Sequence, residues 1–150
     1  MLDAYRQHVA ERAAMNIPPA PLSPEQVAGL VELIQEPPAG EEAFLIELLS
    51  ERVPPGVDEA AYVKAGFLSS IAKAETQCAL INREQAVALL GNMLGGYNIG
   101  TLIGLLEDDE VGASAARELK RTILVFDAFH DVQQLAENGS AHAQSVLESW

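Results

Sequence analysis

The sequence predicts an all-α fold. Apolar residues recur at three- and four-residue spacing, and no stretch shows the sustained alternation of a strand. Helix-start signals, Ser23-Pro24-Glu25-Gln26 and Asn82-Arg83-Glu84-Gln85, stand directly ahead of such runs. Proline pairs, Pro37-Pro38 and Pro54-Pro55, interrupt the runs, because proline cannot continue a helix and holds its predecessor extended. The 150 residues fit one domain, long enough to bury a core without staples.

Residues 2–15 read as the first helix, with Leu2, Tyr5, Val9 and Arg12 along one side. A proline-rich connector, 16–21, follows. Ser23 is the expected N-cap of the second helix, Pro24 takes its first position and Gln26 is placed to close a capping box. Val27, Leu30, Val31 and Ile34 form its apolar stripe, and it ends at Glu36. Glu41 and Glu42 lie in the first turn of the third helix, where negative charge meets the positive end of the dipole. Phe44, Leu45, Leu48 and Leu49 are its buried stripe. Gly56 permits a reversal, Asp58 caps the fourth helix, and Ala60, Val63, Phe67 and Ile71 line one face of it to about Glu75. The two proline pairs are 17 residues apart, so a helix pair recurs about every 34 residues. That period is typical of stacked helical hairpins.

Residues 76–81 form a short connector. The fifth helix is capped by Asn82, carries Ala86, Leu89, Leu90 and Met93, and is expected to end at Gly95-Gly96. Asn98 is the expected cap of a short sixth helix, 99–106, weakened by Gly100 and Gly104. An acidic turn, 107–110, leads to a seventh helix over 111–126, with Ala115, Leu119, Ile123 and Phe126 buried. Residues 129–138 continue it or form an eighth, with Val132 and Leu135 inward. Gly139 is a good residue to follow a helix end, and Ser140 caps a last helix carrying Ala143, Val146, Leu147 and Trp150.

The formal net charge of −13 weighs against direct nucleic-acid binding, which needs clustered Lys and Arg. No apolar run approaches the ~18–20 residues of a membrane span, and the amphipathic start lacks the apolar core of a signal peptide. A single cysteine, Cys78, excludes an internal disulfide framework and fits a reduced cytoplasmic setting.

Few residues could carry chemistry. Asp127, His130 and Asp131 share a helix face and are weak metal-ligand candidates, read more simply as a solvated edge. Cys78 has no second thiol beside it, and a cluster of iron and sulfur needs three or four. His8 and His142 stand alone. The acidic turn lacks a calcium-loop pattern. Gly95-Gly96-Tyr97-Asn98 lacks the ending of a phosphate loop and reads as an interhelical turn, with Tyr97 packed down or presented outward. The end helix, with Val146, Leu147 and Trp150, either offers an apolar surface for self-association as a weak homodimer or closes onto the Phe126–Phe129 region.

Several stretches resemble the N-terminal HEAT-like helical domain of aconitase B. They are residues 52–68, which include Arg52-Val53-Pro54-Pro55-Gly56-Val57-Asp58, then 5–14, 37–42, Gly95-Gly96-Tyr97-Asn98-Ile99, Phe126-Asp127 and Ser149-Trp150. Gly100-Thr101 departs from the proline usual in that family after Tyr-Asn-Ile. The resemblance implies a right-handed superhelix of about eight or nine antiparallel helices forming one domain, 1–150. It implies a non-catalytic protein-interaction and oligomerisation module, with Tyr97 and Asn98 added to the end helix as interaction residues. The implied partners are aconitase catalytic domains or a second copy. The family's full enzyme isomerises citrate and isocitrate through cis-aconitate with a 4Fe-4S cluster held in other domains. On this pattern the chain has no cofactor, metal or catalytic residue of its own. The alternatives are a fragment contributing an access-channel wall to that enzyme, or a stand-alone regulatory paralogue.

Overall fold

The computed structural model describes every residue except 123 and 124, and the described residues form nine α-helices and no strand. These are α1 (Leu2–Ala14), α2 (Pro24–Gln35), α3 (Glu42–Glu51), α4 (Glu59–Ala72), α5 (Arg83–Gly91), α6 (Ile99–Gly104), α7 (Gly112–Lys120), α8 (Ala128–Glu137) and α9 (Ala141–Ser149). The all-α expectation holds.

Local signals set most helix starts. Ser23 Oγ accepts from Gln26 N–H at 3.2 Å while Gln26 Oε1 accepts from Ser23 N–H at 2.9 Å, a closed capping box. Asn82 and Gln85 repeat it ahead of α5, at 2.8 and 2.9 Å. Asp58 Oδ1 accepts from Ala60 N–H at 2.8 Å, and Ser140 Oγ from Ala143 N–H at 3.3 Å. Each satisfies an amide that helix geometry leaves without a partner. Gly139 closes α8 at φ +97°, a conformation costly for a residue with a Cβ.

Helices α2, α4, α5, α7 and α9 form a file in which each packs on the next; α3, α6 and α8 flank it. The core runs along the file through Leu30, Ile34, Leu45, Leu68, Leu90 and Leu119, all buried. At one end α1 is tied on by Tyr5, whose hydroxyl donates to Ala20 O at 3.2 Å, and by Arg6, which pairs with Glu41 and lies 4.3 Å over the Phe44 ring. The starts of α2, α3 and α4, at 24, 42 and 59, are 18 and 17 residues apart, close to the expected spacing, and α2 to α4 spans 35 residues. Beyond them the spacing changes. Helices α5, α7 and α9 start at 83, 112 and 141, and α6 and α8 at 99 and 128, so each start recurs after 29 residues.

Three expected boundaries are corrected. Helix α5 ends at Gly91, before Gly95-Gly96, and Asn98 stands at the N-cap position of α6 as expected, but its side chain makes no capping bond there. Its side chain turns back instead, and Nδ2 donates to Leu90 O at 2.6 Å and Met93 O at 3.3 Å, taking up carbonyls at the end of α5. Helix α6 ends at Gly104 rather than 106. Helix α7 stops at Lys120 rather than 126: Leu119 O accepts from Thr122 N–H at 3.0 Å, a tight closing turn, and the Thr122 hydroxyl bonds back to Glu118 O at 3.1 Å. With α7 ended early, Phe126 leaves its apolar face. It sits at φ +44° and is 81% exposed, against the burial expected. The expected burial of Ile123 lies outside the described residues.

Candidate interaction surface

Two turns far apart in sequence meet at one edge of the fold. Residues 53–58 link α3 to α4, and residues 92–98 link α5 to α6. Leu94 N–H donates to Pro55 O at 2.8 Å, and the Tyr97 hydroxyl donates to Val57 O at 2.9 Å. Gly95 lies so close to Gly56 that a Cβ at position 95 would overlap the Gly56 carbonyl. The Tyr97 ring meets Tyr62 of α4 edge to face, with centroids 5.3 Å apart. Around this junction Val57, Tyr62, Leu94 and Tyr97 are exposed, Leu94 at 78% and Tyr62 at 65%. A groove of about 560 Å³ runs from the two tyrosines along α4 past Gly66, Ser69 and Ser70 to Lys73. The arrangement can receive an apolar or aromatic group. Tyr97 is thus presented outward. Asn98, expected to share that role, is 1% exposed and lies inside; its Oδ1 has no hydrogen-bond partner among the described residues.

The α9 end of the file carries the residues expected to associate. Val146 is fully buried in the core, so it is unavailable as an interaction residue, and Leu147 is half-buried. Trp150 Nε1–H donates to Leu119 O at 3.1 Å, and its ring lies 6.1 Å from the Phe129 ring at 32°. Trp150 thus folds back onto Phe129 and α7 rather than onto Phe126. Trp150 nevertheless keeps 38% of its surface exposed, beside a pocket of about 310 Å³ that Phe129 and Val125 also line.

The chemical candidates assemble into nothing comparable. Asp127, His130 and Asp131 are exposed, and among the described residues no group of three or more His, Cys, Asp or Glu side chains is arranged to hold a metal ion. Cys78 is half-buried at an open cavity of about 510 Å³ and is the chain's single cysteine, so an iron–sulfur cluster does not fit the residues present. The acidic turn is more ordered than a solvated turn. Asp108 Oδ1 accepts from Glu110 N–H at 2.9 Å and Val111 N–H at 3.0 Å, while Oδ2 pairs with Arg83 at 2.6 Å. The guanidinium and the two amides hold the Asp108 carboxyl down at about 2. Arg83 also pairs with Glu110 and donates to Ala72 O. The sequence reading missed this clamp; an aspartate three residues ahead of Val111, in the manner of a cap, was its one local trace. It also missed Lys64, buried on α4, whose amine burial pushes below its ordinary value against the nearby Glu51 carboxylate.

Comparison with known proteins adds the family. The model of the Aconitate B N-terminal domain matches residues 4–150. Aconitate hydratase B of Pseudomonas aeruginosa is 61% identical over 150 residues, and that of Escherichia coli 56%. In both cases the match covers all of this chain and 17% of the relative. Aconitate hydratase B of Helicobacter pylori is 42% identical over 99% of the chain and 18% of its own length. The chain therefore spans about one sixth of the curated relatives it matches.

Proposed function

The chain belongs to the family of aconitase B N-terminal domains, and from that premise we propose that it is a non-catalytic protein-interaction module of an aconitate hydratase B. In this reading it serves an enzyme that isomerises citrate and isocitrate through cis-aconitate in the cytoplasm. The cluster and the catalytic residues belong to other domains, which this chain docks against or, through self-association, brings together. The observation that carries the reading is the junction of Val57, Tyr62, Leu94 and Tyr97. Val57, Leu94 and Tyr97 are exposed on turns braced against each other and Tyr62 is exposed beside them on α4, with no metal-holding group of His, Cys, Asp or Glu among the described residues.

A second reading rests on the chain covering 17% of its relatives. Most of such an enzyme lies outside this chain, and the groove along α4 then forms part of an access-channel wall to the citrate site. One experiment separates the readings. The chain is mixed with a Pseudomonas aeruginosa aconitate hydratase B lacking the matched region, and co-sedimentation and isomerisation are followed together. A docking module co-sediments, and Tyr62→Ser with Leu94→Ser weakens it. A channel wall also changes KM for citrate. Isomerisation by this chain alone after anaerobic cluster reconstitution overturns both.

A further inference from the structure

We propose that Gly95 and Tyr97 form a latch that makes the two turns, 53–58 and 92–98, a single preorganised platform, with Tyr97 as its positioning residue. The inference rests on the interaction reading above and adds how that surface is held.

Each turn alone would carry one exposed apolar tip, Val57 or Leu94. Such a tip must be ordered when a partner binds, which weakens binding. Four contacts remove that freedom in advance. The base of the 92–98 turn is held by buried Asn98, through Leu90 O and Met93 O. Its tip is held by Leu94 N–H on Pro55 O and by the Tyr97 hydroxyl on Val57 O. The Gly95–Gly56 approach brings the backbones close enough for these bonds, and a Cβ at 95 forbids it. The Tyr97 ring, set edge-on against Tyr62, fixes the hydroxyl's direction and links the latch to α4. The latch joins positions that are 40 residues apart, so opening it separates the exposed groups without unfolding a helix.

The Leu94 amide reports the latch directly, because its acceptor lies on the other turn. We compare its hydrogen exchange in the whole chain, in Tyr97→Phe and in Gly95→Ala, with core amides of α4 and α5 as the internal control. Tyr97→Phe keeps the ring and removes the donor; about a fivefold loss of protection at Leu94 is expected, with core amides unchanged. Gly95→Ala should abolish that protection. If Gly95→Ala fails to fold, Tyr97→Phe alone decides. Unchanged Leu94 protection in Tyr97→Phe overturns the latch, as does a loss that merely follows the core amides. Co-sedimentation with the relative's remaining domains is measured separately. If Tyr62→Ser leaves it intact, the interaction reading fails, while Leu94 exchange still decides the latch.

Discussion

The turn–turn junction and the C-terminal end both present aromatic rings, and they are braced differently. At the junction a main-chain bond between the two turns, Leu94 N–H to Pro55 O, shares the bracing with the Tyr97 hydroxyl on Val57 O, and Val57, Tyr62 and Leu94 are left outward. At the C-terminal end, the aromatic side chain makes the bond, Trp150 indole to Leu119 O, and so draws itself inward. The first arrangement leaves three exposed side chains, Val57, Tyr62 and Leu94, outside its hydrogen bonds. The second relies on the largest side chain there. Exposure of an aromatic ring therefore means different things in the two regions: a presented group at Tyr62, an incompletely covered one at Trp150.

Paired substitutions sharpen this contrast. Phe67 is buried on α4 beside the groove that starts at the junction, and Phe129 is partly exposed near the C-terminal end. Phe67→Ala should lower stability by roughly 3–5 kcal/mol, and Phe129→Ala by about 1 kcal/mol, in denaturant titrations. Equal costs would erase the distinction between the two regions. Asn98→Ala comes next, at about 1–3 kcal/mol, because it leaves buried carbonyls at the end of α5 without their donor. Pro55→Ala should cost less than about 1 kcal/mol, mainly through a freer unfolded chain, since the Pro55 carbonyl that Leu94 uses remains.

The smallest expected effect is in acid. Asp108 has its folded pKa lowered from 3.8 to about 2, so its contribution is present above the ordinary value and is lost as pH falls from about 4 to about 2. Asp108 is partly solvated, so its ion pair is a weak one. Melting temperatures of the chain and of Asp108→Asn should converge across that window. A constant gap between them would remove the carboxylate from the account.

What could be read from the sequence follows the range of the interactions involved. Ser23, Asp58, Asn82, Ser140 and Gly139 act on amides and carbonyls within a few residues, and each was placed correctly. The stripe residues Leu45, Leu48, Phe67 and Ile71 were likewise recovered, since periodicity reports which face is apolar. The side-chain bonding of Asn98 and the burial of Phe126 were misread for one shared reason. A cap-forming residue looks the same whether it serves the helix ahead or the one behind, and only the packing of α5 against α6 chose. Phe126 belonged to a face that existed only if α7 continued, and the turn at Leu119 ended it. The junction surface was half legible. Both turns stood out, but nothing local says that Pro55 and Leu94 touch.

Arg83 stands where the period of a helix pair changes from 35 to 29 residues. It reaches back to Ala72 O at the end of α4 and forward to Asp108 and Glu110 ahead of α7. Helical files whose elements touch only their neighbours tend to come apart piecemeal from their ends. The energy in the Arg83 bonds is small, so their consequence lies in who shares them. One side chain on α5 is common to both spacings, and fraying that reaches it from either side loosens an anchor of the other. Together with the packing of α4 on α5, this residue ties the two arrays to each other.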